Sequence, residues 1–363
     1  MKKIIILFID AFSYSYINEI DTPFLSRQNV CPLTPVLGFK QLAAAFTGLS
    51  PLSTGLIAEH YYDPEHSPFS WVSILPSGLL SVIDCIARPY IYKFVAWISR
   101  SKQPSKLLPL QFSRFFNVNF DPFPNSATVI SLLREKGLNY RFVFYPEVKT
   151  NVAAYKLIKS LNRQDKMPDF LLIHFPELDP VTHKFGIESQ CRRKLVKELD
   201  VIIAKIHEAL PPTSCLLVFS DHGMVKVKGQ IDILSKVKRI GCLGKDFLVF
   251  LDSIMARFWM FDDHLVDEVI KILENEPNGQ YFYCDKAKLR PFLGDLAFIC
   301  NPGYVVFPNY YDQTLPKAMH GYRVNSDDSP LNGIFFSYNL PKTRIPSSIC
   351  DLAYVLRQII ESL

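Results

Sequence analysis

Apolar runs of strand length punctuate the chain at residues 4–9, 140–145, 170–175 and 216–219. Segments with helical periodicity lie between them, at 127–136 and over the long stretch 188–209. In the latter, Leu195, Leu199, Ile202, Ile203 and Ile206 fall on one face of a helix. Near-continuous apolar strands alternating with amphipathic helices predict an α/β fold, a doubly wound and mostly parallel sheet covered on both faces. Ligands of such sheets gather at the carboxyl ends of the strands. The residue that ends each run is therefore where chemistry is expected.

Two stretches interrupt this rhythm. Residues 76–120 begin apolar over 79–87, then carry Arg88, Lys93, Arg100, Lys102, Lys106 and Arg114 with Trp97 among them. No acid stands between Asp84 and Asp121. Such a basic, aromatic helical insertion suits an anionic membrane face or a lipid-linked substrate; an ordinary helical insertion with a solvated basic face has the same pattern. Residues 228–310 read as a second insertion, a smaller α+β cap containing the apolar stretches 247–261 and 292–307. The expected organisation is thus a core of 1–75, 121–227 and 311–363, with the insertion 76–120 and the cap 228–310.

Composition narrows the class. With 363 residues, 48% hydrophobic and 21% charged, the chain can bury a large core and is not intrinsically disordered. Forty basic against 35 acidic residues give a net charge of only +5, too mild for a binder of nucleic-acid duplexes. Eight cysteines are scattered with no C-x-x-C pair, which reads as buried thiols in a reducing compartment. The first apolar run is six residues long and ends on Asp10, fitting a buried strand better than a signal peptide. No stretch reaches the length of a membrane-spanning helix. A cytoplasmic protein is expected, with peripheral membrane contact through 76–120 as an added option.

Three aspartates stand just past the ends of apolar runs. Asp10 follows 4–9. Asp179 follows 170–175 and shares its segment with His183. Asp221 follows 216–220 and is joined to His222 and Gly223. Taken singly, each fits a turn or a helix cap. Together, with two histidine partners, they suit a divalent zinc or manganese site. His320, in Met319-His320-Gly321-Tyr322, completes six candidate ligands.

In order and spacing, Asp10, the Asp179-x-x-x-His183 pair, Asp221-His222-Gly223-Met224 and His320-Gly321 resemble the metal-ligand pattern of the alkaline phosphatase superfamily. The branch they most resemble is that of the type I phosphodiesterases and nucleotide pyrophosphatases. Thr22-Pro23-Phe24-Leu25 is similar to its early T-P-x-L segment, and Phe46-Thr47-Gly48-Leu49-Ser50-Pro51 to its T-G-x-x-P turn. The segments Pro302-Gly303 and Pro308-Asn309-Tyr310 look like the approach to its last ligand. The resemblance implies two divalent ions, zinc in preference to manganese. Asp179, His183 and His320 would hold one, and Asp10, Asp221 and His222 the other. It also implies cleavage of a phosphate ester, a phosphodiester or pyrophosphate before a monoester, in a phosphorylated small-molecule or lipid-linked substrate.

The pattern breaks at the nucleophile. The family's Thr or Ser stands some nine residues before the T-G turn, which here reaches Gly38; the alternative alignment reaches Lys40 or Gln41. None offers a hydroxyl. Thr54 also stands where the family has a histidine. Three readings stay open. Thr34 or a nearby hydroxyl substitutes, hydroxide at the metals attacks while Lys40 binds an anionic oxygen, or the site binds its ligand without turnover. Thr47 reads as a shaper of the turn more than as a nucleophile. A metal-dependent phosphomutase would use the same ligands. The sulfatase branch is disfavoured, because Cys31-Pro32-Leu33-Thr34-Pro35 lacks its C-x-P-S-R motif.

Overall fold

A six-stranded sheet is the frame on which everything else hangs. It consists of β1 (Ile4–Ile9), β2 (Cys31–Leu33), β3 (Tyr140–Val143), β4 (Phe170–Phe175), β5 (Cys215–Phe219) and β6 (Gly333–Tyr338), in the order β2-β6-β5-β1-β4-β3. The structure, a computed structural model, describes residues 3–65, 115–117, 128–284, 287–312, 314–324, 326, 328–340 and 344–362. The basic segment 76–120 lies outside the described residues except for the backbone of a short strand, Phe115–Asn117.

Strands β3, β4, β1 and β5 run parallel, and β6 is antiparallel to both of its neighbours. Alternate residues of β1 feed two different cores, as the pleat requires. Ile5, Leu7 and Ile9 pack with Ile158 of α3 (Asn151–Arg163) and with Val196, Leu199 and Ile203 of α5 (Gln190–Ala209). Ile4, Ile6 and Phe8 pack with α1 (Gln41–Thr47), α2 (Val129–Glu135) and α6 (Asp351–Glu361). The remaining helix of this frame, α4 (Leu178–Phe185), follows β4 directly. This is the expected doubly wound, mostly parallel α/β fold.

Element ends follow local chemistry. α5 begins at Gln190 because the Ser189 side chain accepts the Arg192 N–H, a conventional N-cap. β3 stops at Val143 because the chain turns there; the Phe144 carbonyl accepts from Glu147 and Val148. The Thr22–Leu25 segment is pinned by buried Asp200 of α5, whose carboxylate accepts the Phe24 and Leu25 N–H groups at 3.0 and 2.9 Å.

Between β5 and β6 the chain builds a second, wholly antiparallel sheet of four strands, ordered Phe247–Leu251, Met255–Met260, Leu296–Cys300, Gly279–Tyr283. It has its own apolar core. Buried at its centre, Arg257 is held by Asp252 at 2.9 Å and donates to the carbonyls of His60 and Phe292. No helix among the described residues is long and apolar enough to cross a membrane.

Candidate metal centre

The register of the central strands brings the acidic residues together. Ile9 pairs with Phe175 and Phe8 with Phe219, so the chain leaves the sheet at one level after β1, β4 and β5. Asp10 is the first residue past β1, and its N–H still donates to the Phe175 carbonyl at 3.2 Å. The next residue, Ala11, has φ +62°, a left-handed conformation that turns the chain sharply. Phe12 N–H then donates to Ser220 Oγ (2.8 Å), which itself donates to the His222 carbonyl (2.9 Å). These bonds lock the end of β1 to the end of β5.

Gly223 explains the Asp-His-Gly run. A Cβ there would lie 2.1 Å from the Pro330 carbonyl oxygen and 2.7 Å from Ser13 Cβ, so only glycine lets the loop pack while Asp221 and His222 face inward. Asp179 and His183 sit one turn apart on α4, hence on one face. His320 arrives from the strand Ala318–Met319, which pairs with Val225–Lys226.

The six side chains converge. His183 Nε2 lies 3.3 Å and His320 Nε2 3.7 Å from Asp179 Oδ1. His222 Nε2 lies 3.5 Å from Asp221 Oδ2 and 3.6 Å from Asp10 Oδ1. Two sets have ligand atoms that all lie within 4.8 Å of one another: Asp179, His222, His320 and Asp10, Asp221, His222. The division differs in one respect from the expected one, since His222 reaches both sets and His183 approaches through Asp179. The donor set fits divalent cations. Asp221 Oδ1 is buried and accepts no hydrogen bond. His183 Nδ1 is engaged with the Ala318 carbonyl at 2.8 Å, which leaves Nε2 as the ligating atom.

The electrostatics point the same way. Burial, then the neighbouring Asp10 and Asp179 carboxylates, push the Asp221 carboxyl well up. For Asp179, burial would raise the carboxyl, yet His183, His320 and His222 outweigh it and hold it below the usual range. His183 is opposed by burial but raised to about 9, chiefly by Asp179. Burial lowers His222. Three carboxylates crowded in a buried site are the arrangement a bound cation stabilises.

The cluster forms one wall of a cavity of about 430 Å³. Of the three candidate catalytic residues, only Lys40 lines it, at the start of α1. Thr34 lies elsewhere, bridged to Ser348 at the end of β2. Thr47 closes the far end of α1, where its Oγ1 donates to the Ala43 carbonyl and accepts the Leu49 N–H; it shapes the turn. Gln41 is likewise committed, its side chain clamping Val36 and Gly38. Gly38 leaves no room for a side chain: with φ +94°, a Cβ would sit 2.1 Å from the Ile57 carbonyl oxygen.

Sequence reasoning missed several cavity residues. His174 Nε2 lies 3.1 Å from Asp10 Oδ2, its ring stacked on Phe8 at 4.7 Å. It lies inside the apolar run 170–175, and its place next to the strand end was the available signal. From the antiparallel sheet and its return loop come Ser253, Tyr311 and Asp312, with Glu59 from just before the short strand His60–Tyr62. Ser253 Oγ donates to Asp312 Oδ2 at 2.8 Å, and Tyr311 Oη lies 2.8 Å from His60 Nδ1. No sequence motif marked them.

A doubly wound sheet with a carboxylate–imidazole cluster across its strand ends defines an alkaline phosphatase-like protein. The family model for type I phosphodiesterase / nucleotide pyrophosphatase matches residues 4–323. The chain belongs to that family, whose chemistry is metal-dependent. It is 23% identical over 242 residues to an uncharacterised pyrophosphatase/phosphodiesterase of Schizosaccharomyces pombe, covering 61% of this chain and 45% of that protein. It is 22% identical over 250 residues to human ectonucleotide pyrophosphatase/phosphodiesterase family member 7, covering 62% and 48%. The chain thus spans less than half the length of these two relatives. Among solved structures, human ectonucleotide pyrophosphatase/phosphodiesterase 5 superimposes with a TM-score of 0.68 at 14% identity, covering 99% of this chain and 95% of the other. An inactive threonine-to-alanine variant of the murine protein, in complex with AMP, gives 0.65 at 16% identity and the same coverage. Likeness at this identity establishes the fold.

Proposed function

We propose that this chain hydrolyses a phosphate ester, a phosphodiester or pyrophosphate in preference to a monoester, with two divalent cations. Asp179, His183 and His320 hold one and Asp10, Asp221 and His222 the other. The mixed oxygen and imidazole donors favour zinc over manganese. One observation carries the reading: six ligand-type side chains from four separate segments meet on one cavity wall, with a buried Asp221 oxygen that accepts no hydrogen bond. When bound, such cations activate water, screen phosphoryl oxygens and stabilise the departing alkoxide.

The chain's own residues do the rest. Asp10 is oriented by His174, and the Lys40 ammonium binds an anionic oxygen of the substrate. Water is the nucleophile in this reading, supported by Gly38, where the resemblance places the family's hydroxyl and where the backbone leaves no room for a side chain. Residues 228–310 act as a cap that selects the substrate, a role supported by Ser253 on the cavity wall. The family name and the AMP complex of the murine neighbour support a nucleotide-like or other phosphorylated small molecule. A lipid-linked substrate, with membrane contact through 76–120, rests on composition alone. A cytoplasmic location is supported by the free thiols at all seven described cysteines. A silent, ligand-binding role is the second reading, favoured by the closed backbone at Gly38.

The test is turnover of an aryl phosphodiester and its monoester, before and after chelation and after adding back zinc or manganese. Metal-restored cleavage of the diester supports hydrolysis. Bound metal without cleavage of either ester supports the silent reading.

A further inference from the structure

Where the end of α4 meets the segment leading to His320 lies a separate groove of about 390 Å³, lined by 185–188, 226–229 and 315–317. Its rim presents Lys226, Lys228 and Lys317, all exposed. Among the described residues neither Lys228 nor Lys317 has a carboxylate partner. The one acid in the groove, Glu188, faces Lys226 at 3.4 Å, a solvent-exposed pair of little strength. The Lys228 stem lies along the Gly303 backbone, leaving its ammonium at the rim.

Large apolar side chains stand among these lysines. Phe185 is 41% and Leu315 43% exposed, and the Lys184 ammonium lies 5.2 Å from the Phe185 ring. A site for a small soluble anion needs only the charges. Exposed aromatic and aliphatic groups ringed by lysines match the chemistry of an anionic bilayer surface, where apolar groups enter the headgroup layer and ammonium groups meet phosphates.

We propose that this groove is a docking surface for anionic phospholipid membranes, with Phe185 and Leu315 inserting and Lys184, Lys226, Lys228 and Lys317 pairing with headgroup phosphates. The inference is independent of the catalytic reading. The groove is joined to the metal centre through His183, whose carbonyl accepts the Lys317 N–H and whose ring donates to the Ala318 carbonyl.

Co-sedimentation of the full chain with phosphatidylcholine vesicles, with and without phosphatidylserine, tests it. Binding is expected only with phosphatidylserine and falls as salt rises. At about fivefold per lysine, the double variant Lys228→Gln/Lys317→Gln weakens it roughly 30-fold, whereas Lys228→Arg/Lys317→Arg retains it. Phe185→Ser/Leu315→Ser also weakens it, at unchanged thermal midpoint. Three outcomes overturn the proposal: no sedimentation at low salt, binding insensitive to these variants, or equal displacement by inorganic phosphate or polyglutamate, which would assign the groove to a soluble anion or an acidic peptide.

Discussion

The imidazole of His222 lies flat against that of His320, ring centroids 3.6 Å apart and planes 8° from parallel. One ring comes from the turn after β5, the other from just past the strand Ala318–Met319, nearly a hundred residues later. Their stacking ties the core sheet to the returning chain at the point where the two ligand sets meet. It follows that the centre assembles only when both segments are in place.

Without cations, the Asp10, Asp179 and Asp221 carboxylates repel one another in a buried site. Asp221→Asn is expected to raise the thermal midpoint of chelated protein and to abolish most of the stabilisation that zinc gives the wild type. For the wild type that gain is about 2.7 kcal/mol at a metal concentration a hundredfold above Kd. Thermal unfolding with chelator and with zinc reads both effects. A variant that responds to zinc like the wild type would remove Asp221 from the ligand set.

Lys40→Met removes an ammonium from the cavity without touching a candidate ligand. Loss of a charge-assisted contact to a phosphoryl oxygen predicts a 10- to 100-fold fall in kcat/KM. Metal affinity, followed by calorimetry, should not change. An unchanged kcat/KM would leave Lys40 without a role in binding substrate.

Installing a hydroxyl at Gly38 does not create a nucleophile. Left-handed backbone and a Cβ 2.1 Å from a carbonyl oxygen predict that Gly38→Ser loses about 3 kcal/mol or more of stability. Denaturant unfolding measures the loss. A stable variant that gained activity would contradict the rigidity of this loop.

His60 is buried, and burial is the main reason its imidazole is lowered to about 3. Its ordinary value of 6.5 applies to the unfolded chain, which therefore binds the proton first as pH falls. The stability tied to neutral His60 is complete above pH 6.5 and is lost progressively from there toward pH 3. Between pH 7 and 5 the wild type should lose about 2 kcal/mol more than His60→Gln, a difference that denaturant midpoints at the two pH values measure. Asp252, raised to about 6 chiefly by burial, works in the opposite direction but is present in both proteins. Parallel losses would show that His60 is not the acid-sensitive group.

The sheet was legible where strands are buried on both faces: β1, β4 and β5 are short apolar runs. β6 was not, because Gly333-Ile334-Phe335-Phe336-Ser337-Tyr338 is antiparallel and reads half-polar toward its end. Asp10, Asp179 and Asp221 could be found because strand ends in a parallel sheet converge, whatever the loops do. His183 and His222 were legible as partners of Asp179 and Asp221 in the same segments, whereas His320 stands alone in its loop and needed the resemblance as well. Glu59, Ser253, Tyr311 and Asp312 were hidden because distant segments deliver them by tertiary packing, with no period or motif to mark the delivery. Thr34 drew notice only as a nearby hydroxyl in sequence, and sequence distance is a poor measure of reach into a cavity.

A stoichiometric titration separates a two-cation hydrolytic centre from a site with fewer ions. Chelated protein would be titrated with zinc while heat and aryl phosphodiester turnover are recorded together. Two equivalents should bind, and turnover should plateau only as the second is filled, with Asp10→Asn losing one equivalent and the activity. Turnover in fully chelated protein, or full activity with no bound zinc, would contradict it.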